Sequence, residues 1–87
     1  MALGKLYDYN NDFLVDVNYT FHNDTDADWW GELVPKQNRP ILDDIRYIIE
    51  LADGRRGGCS LHKRVNRATM GVPSVFVYNF KGRGLLR

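Results

Sequence analysis

The stretch FLVDVNYTFH, residues 13–22, decides the fold of this chain. Every second position carries a large apolar side chain, and mostly polar residues stand between them. The apolar set is Phe13, Val15, Val17, Tyr19 and Phe21. Successive side chains of a β-strand point to opposite faces, so this alternation predicts a strand with one buried face.

The regions on both sides of this strand also have β character. Turn-forming residues separate segments rich in aromatic and β-branched residues, a pattern typical of antiparallel hairpins. Turns are predicted at 10–12 and 23–28, and Pro35 ends the third strand. The predicted strands around the central one cover residues 3–9, 29–34 and 74–80.

Residues 40–54 fit two structures. One is a short helix at 40–52, because six apolar residues share one helical face, Pro40 suits a first helical position and Gly54 suits a helix end. The six are Ile41, Leu42, Ile45, Ile48, Ile49 and Ala52. The other is a strand over 47–51, with at most one helical turn at 40–44. We favour the strand because a turn and a second alternating run follow it.

A hairpin at 47–61 needs a three-residue loop, since a two-residue turn would place core residues opposite the wrong face. The loop 52–54 puts Gly54 where a positive φ is required. This register sets Tyr47 opposite Cys59, Ile45 opposite Leu61, and Glu50 opposite Arg56 on the outer face. Gly57 and Gly58 would then permit sharp coiling.

Together these segments predict an all-β protein. We expect one small domain over residues 1–87, a strongly bent antiparallel barrel of about five to six strands with SH3-like or OB-like architecture. A single cysteine and the absence of an apolar leader lead us to expect a cytoplasmic protein. No segment is apolar enough to span a membrane, so no membrane partner is expected.

Charge is distributed unevenly along the chain. Residues 1–53 contain all eleven acidic residues and four of the twelve Lys/Arg, whereas residues 54–87 contain the other eight and no acid. Such asymmetry can mark binding faces. Alternatively, the two halves attract each other as interleaved strands of one sheet.

The sequence contains no complete catalytic or metal-binding motif. Cys59 and His62 are three residues apart on a predicted strand, so they should point to opposite faces and form no nucleophile–base pair. With His22 they offer at most three soft metal ligands and no second pair at ligand spacing, so we expect no metal site. The acidic alternation from Asp24 to Asp28 begins like a calcium loop, but Trp29 occupies the glycine position and Pro35 the glutamate position. We therefore expect no catalytic residues, metal or cofactor.

Candidate binding residues remain. Of Trp29 and Trp30, one should point inward and the other outward, next to an acidic turn that contains Asp26 and Asp28. The basic candidates are Arg56, His62, Arg64 and Arg67. We expect a small non-enzymatic interaction module that binds another protein or self-associates. The alternative is a nucleic-acid-binding barrel that uses the basic C-terminal half, although the pI of about 7.9 is low for that class.

Overall fold

The protein is a closed six-stranded antiparallel β-barrel. The computed structural model describes residues 2–25, 27–37, 41–42, 45–65 and 76–87. The strands, in chain order, are β1 Ala2–Asp8, β2 Phe13–Thr25, β3 Asp28–Pro35, β4 Arg46–Glu50, β5 Arg56–Val65 and β6 Phe76–Gly82. The prediction of a small antiparallel barrel is confirmed. None of the described residues belongs to a helix long and apolar enough to cross a membrane.

The barrel is built from two three-stranded meanders. Around the barrel the strand order is β1-β2-β3-β6-β5-β4, and every neighbouring pair is antiparallel. The meander β1-β2-β3 joins the meander β4-β5-β6 at two seams, one between β1 and β4 and the other between β3 and β6. If β1, β2 and β3 are exchanged with β4, β5 and β6, the strand order around the barrel stays the same. The topology therefore has pseudo-two-fold symmetry. Among the six described strands, closure leaves no unpaired sheet edge.

The hairpins of the two meanders share one turn geometry. In the first, the Asp8 amide donates to the Asp12 carbonyl, and Asn11 has φ of 71°. In the second, the Leu51 amide donates to the Arg55 carbonyl at 2.8 Å, and Gly54 has φ of 93°. The predicted three-residue loop at 52–54 is therefore confirmed, and so is the register that pairs Tyr47 with Cys59 and Glu50 with Arg56.

The alternative prediction of a short helix at 40–52 is wrong for the described residues of that segment. Residues 46–50 form β4, which is hydrogen-bonded to β1 on one side and to β5 on the other. Strand partners on both sides outweigh the weak helical preference of this segment. Residues 40, 43 and 44 lie outside the described residues, so the helical turn considered at 40–44 is tested only at 41–42, which are irregular.

Two residues assigned to the core from the pattern lie outside it. Phe13 is 52% exposed because a register shift in the β1–β2 ladder turns it to the outer face, where it packs edge-on against Tyr7. Ile45 is 44% exposed and precedes β4, so it is not paired with Leu61 as predicted.

Trp29 is the largest fully buried side chain. Its indole packs between Phe21 and Phe80, with ring centroids 6.3 and 6.2 Å away. The indole N–H donates a 2.8 Å hydrogen bond to the Gly84 carbonyl, which ties the segment after β6 to the barrel interior. Around it lie the other core side chains from all six strands, among them Leu6, Val15, Val17, Leu33, Ile49, Cys59 and Leu61.

Candidate functional site

The adjacent tryptophans separate as the alternation of a strand requires. Trp29 is 1% exposed, whereas Trp30 is 44% exposed on the outer face of β3. The expectation that one points inward and the other outward is confirmed. The structure thus places Trp29 in the core, out of reach of a partner, and leaves Trp30 as the surface tryptophan.

Trp30 forms part of a groove of about 700 Å³ on the outer surface of the barrel. The groove follows β6, which lies between β3 and β5 in the strand order. Asn79 and Lys81 of β6 lie along it, and its two sides come from alternate residues of the flanking strands. These are Asp28, Trp30 and Glu32 of β3, and Ser60, His62 and Arg64 of β5. Four of the predicted binding residues therefore share one surface: Asp28, Trp30, His62 and Arg64.

Strand pairing fixes the orientation of Trp30. His22 on β2 is its direct cross-strand partner, and the two rings are stacked with centroids 4.4 Å apart and planes at 25°. On the other side, Trp30 is paired with Lys81 of β6. An aromatic side chain held by its neighbours loses little conformational entropy on binding, so it is suited to serve as an anchor.

An ion pair crosses the groove. Arg64 Nη1 lies 2.9 Å from Glu32 Oε1, so the contact connects β5 to β3 across the intervening β6. Both side chains are about half exposed, and exposed pairs contribute only about 0–1 kcal/mol to stability. The pair is therefore a weak constraint on the fold, and its two charges lie on the surface of the groove.

Arg56, the remaining basic candidate on a described strand, lies away from the groove. Arg56 is opposite Glu50, with Nε 3.6 Å from Oε1, and its guanidinium lies 4.4 Å from the centroid of the Tyr7 ring. Arg56 does not line the groove. Asp26 and Arg67, which were also predicted to bind a partner, lie outside the described residues.

An aromatic surface around β1 was missed by the sequence interpretation. Tyr7 packs against Phe13 with centroids 5.8 Å apart, and Arg56 covers the Tyr7 ring. Tyr9 is exposed, with the Arg46 guanidinium 5.7 Å from its ring centroid. Three aromatic residues within 7–13 are a visible signal in the sequence, but the alternation pattern assigned Phe13 to the core.

Cys59 and His62 lie on different sides of the barrel wall, as predicted. Cys59 is fully buried, and burial raises the pKa of its thiol to about 12. His62 lines the outer groove. The thiol therefore stays protonated at neutral pH, and this geometry gives no nucleophile–base pair. Among the described residues, no three His, Cys, Asp or Glu side chains are grouped closely enough to hold a metal ion.

Comparisons of this chain with protein-family models, with curated proteins and with solved structures find no match. The functional interpretation therefore depends on the fold and on the groove.

Proposed function

We propose that this protein is a small non-enzymatic interaction module that binds a protein partner in the groove over β6. The observation that carries this proposal is the exposed indole of Trp30, which is stacked on His22 and forms one side of a groove whose opposite side includes Arg64. Tryptophan and arginine are enriched among the residues that dominate binding energy at protein interfaces.

Charge in the groove favours a protein over a nucleic acid. Lys81 and Arg64 are accompanied by two carboxylates, Asp28 and Glu32. A phosphate backbone in this groove would meet both carboxylates, whereas a protein partner can present charges of both signs. The near-neutral pI of the chain supports the same choice.

A nucleic-acid-binding barrel is the second candidate, and one observation favours it. The stacked pair of His22 and Trp30 is next to Lys81, which combines an aromatic platform with a cation. Single-strand binders stack bases on such platforms. Titration of a labelled 15-nucleotide single strand between about 50 and 200 mM salt tests this candidate, because contacts with phosphates would weaken binding steeply as salt rises.

Affinity capture with matched variants tests the protein-binding proposal. We expect Trp30→Ala to reduce the recovery of a specific partner by about tenfold or more, the range of interface anchors. Leu3→Ala is the control, because Leu3 is also exposed but lies on β1 and does not line the groove. Recovery of the same partner at wild-type level by folded Trp30→Ala protein would refute a role for the groove.

Two further features belong to this proposal. The cytoplasm is the proposed location, supported by the single cysteine of the chain. The protein is likened to SH3-like or OB-like barrels in its pattern of strands. This likeness supports a role in binding, because small barrels of those kinds commonly serve as binding modules.

A further inference from the structure

A second pocket lies at one end of the barrel and is separate from the groove over β6. Its volume is about 270 Å³, and none of its lining residues lines the groove. The lining comes from β2, β3, the turn between β4 and β5, and the segment after β6. It includes Phe21, Asn23, Trp29, Arg55, Leu85 and Leu86. The mouth of a β-barrel is a common place for a small-molecule site.

One part of this pocket is apolar and held in place by the fold. Phe21 lies beside Trp29, with ring centroids 6.3 Å apart. Leu86 packs against the core from the segment after β6. The Trp29 indole donates a hydrogen bond to the Gly84 carbonyl, and the residue after Leu86 exchanges two backbone hydrogen bonds with the first residue of β5. The wall that carries Leu86 is therefore tied down on both sides.

Arg55 supplies a charge next to this apolar wall. Its guanidinium lies 5.6 Å from the centroid of the Phe21 ring. Asp53 Oδ2 lies 2.8 Å from Arg55 Nε, and Asp53 Oδ1 accepts a 3.0 Å hydrogen bond from the Arg55 amide. These contacts orient the arginine, while Asp53 itself does not line the pocket.

The Arg55 guanidinium keeps donors available for a ligand. A guanidinium has five N–H donors, and Asp53 occupies only the donor on Nε. Within the described part of the chain, no acceptor binds the two Nη groups of Arg55, and no Asp or Glu side chain lines the pocket. Two adjacent Nη groups match the two oxygens of a carboxylate. The charge of the pocket therefore favours an anion.

We propose that this pocket binds a small amphipathic carboxylate, which is a molecule with an apolar body and one carboxylate group. The apolar body packs against Phe21, Trp29 and Leu86, which removes apolar surface from water. The carboxylate accepts hydrogen bonds from both Nη groups of Arg55. Nε stays on Asp53, so no ion pair has to break when the ligand binds.

The volume of the pocket limits the size of the ligand. A protein cavity of about 150 Å³ holds benzene, so a pocket of about 270 Å³ holds a ligand of roughly ten non-hydrogen atoms. Octanoate and phenylacetate are both of this size, and they represent the aliphatic and the aromatic form of the same chemistry. Because such ligands are small and Arg55 is half exposed, we expect dissociation constants of roughly 0.1–10 mM.

NMR titration of ¹⁵N-labelled protein with octanoate and with phenylacetate, each up to about 20 mM, tests this site. The chain has two tryptophans, so two indole N–H signals report on two places in the fold. The Trp29 signal should shift and saturate because Trp29 lines the pocket, whereas the signal of Trp30, which lines the groove, should stay nearly fixed. The Trp30→Phe variant assigns the two signals.

Two comparisons isolate the charge. Octanamide and phenylacetamide carry a neutral amide in place of the carboxylate, and we expect each to bind wild-type protein at least fivefold more weakly than its acid. Arg55→Gln should weaken binding of both acids at least fivefold for the same reason. Arg46→Gln is the matched control, because Arg46 also lies over an aromatic ring, that of Tyr9, but does not line the pocket.

A Trp29 signal that shifts with neither acid would overturn the inference. Amides that bind as tightly as the acids would also overturn it, and this comparison needs only the wild-type protein. Equal binding by folded Arg55→Gln and Arg46→Gln would do the same. Saturable binding of one acid, with loss of affinity for its amide and in Arg55→Gln, supports the inference and shows whether the natural ligand class is aliphatic or aromatic.

Discussion

Gly57→Ala should destabilise the barrel strongly, although it adds only one methyl group. Gly57 faces the interior, and a Cβ there would lie 2.6 Å from Trp29 Cζ2 and 2.7 Å from Leu86 Cδ1. Trp29 has little room to retreat because Gly82 approaches the same indole and the indole N–H is bonded to Gly84. Overpacking of this kind costs typically about 1–3 kcal/mol.

The neighbouring residue provides the matched control. A Cβ at Gly58 would have the Arg83 carbonyl oxygen as its nearest neighbour, at 3.9 Å, which is ordinary contact. Both substitutions restrict the unfolded chain equally, an effect of about 0.4–1 kcal/mol in favour of the folded state. The difference between the two variants therefore isolates the steric clash with Trp29 and Leu86.

Urea titration and thermal melting measure this difference. For a domain of this size, 1 kcal/mol shifts the melting temperature by roughly 4–8 °C. We expect Gly57→Ala to melt several degrees below Gly58→Ala, with a similar dependence on urea concentration. Equal midpoints for the two variants would show that the interior accommodates the methyl group, and would refute the tight contact between Gly57 and Trp29.

Three further outcomes are expected. Cys59 should react slowly with thiol reagents in the folded state and rapidly after unfolding. Because burial raises the pKa of its thiol from 9.0 to about 12, the thiol of the unfolded chain ionises first. The free energy of unfolding should therefore fall as pH rises above about 9, and Cys59→Ala should reduce this slope. Arg64→Glu with Arg67→Glu should change the free energy of unfolding by no more than about 1 kcal/mol in urea titrations, and a larger loss would assign the charges to the fold. Trp29→Phe should cost about 1–3 kcal/mol, whereas the exposed control Trp30→Phe should stay within about 0.5 kcal/mol, and equal effects in thermal melts would contradict the buried position of Trp29.

Much of the fold follows from local pattern. The alternation around Val15, Val17 and Tyr19 identifies their face as buried, and the parity argument at Gly54 predicts the β4–β5 register. These inferences succeed because strand periodicity and turn geometry act over a few residues. Phe13 and Ile45 are exceptions. The register shift that exposes Phe13 is not visible in the alternation, and the predicted pairing of Ile45 with Leu61 fails because β4 begins only at Arg46.

The candidate groove is only partly visible in the sequence. The alternation of β5 predicts that Arg56, His62 and Arg64 are outside the core, yet it does not predict which of them share a surface. Arg64 reaches Glu32, 32 residues away, because β6 inserts between β3 and β5. Arg56 instead meets Glu50 on the neighbouring β4. Long-range strand order decides this grouping, and no local signal encodes it.

The charge asymmetry of the chain is partly absorbed by the fold. Within the described residues, three ion pairs each join an acid before residue 54 to an arginine after it: Asp53 with Arg55, Glu50 with Arg56, and Glu32 with Arg64. Glu50–Arg56 and Glu32–Arg64 join strands of the two halves, as one interpretation of the sequence holds, whereas Asp53 and Arg55 are two residues apart in one turn. Yet all three pairs are at least partly exposed, and such pairs add little stability. Burial around Trp29 therefore carries the fold, and under the proposed function the charges beside Trp30 select a partner by their sign and position.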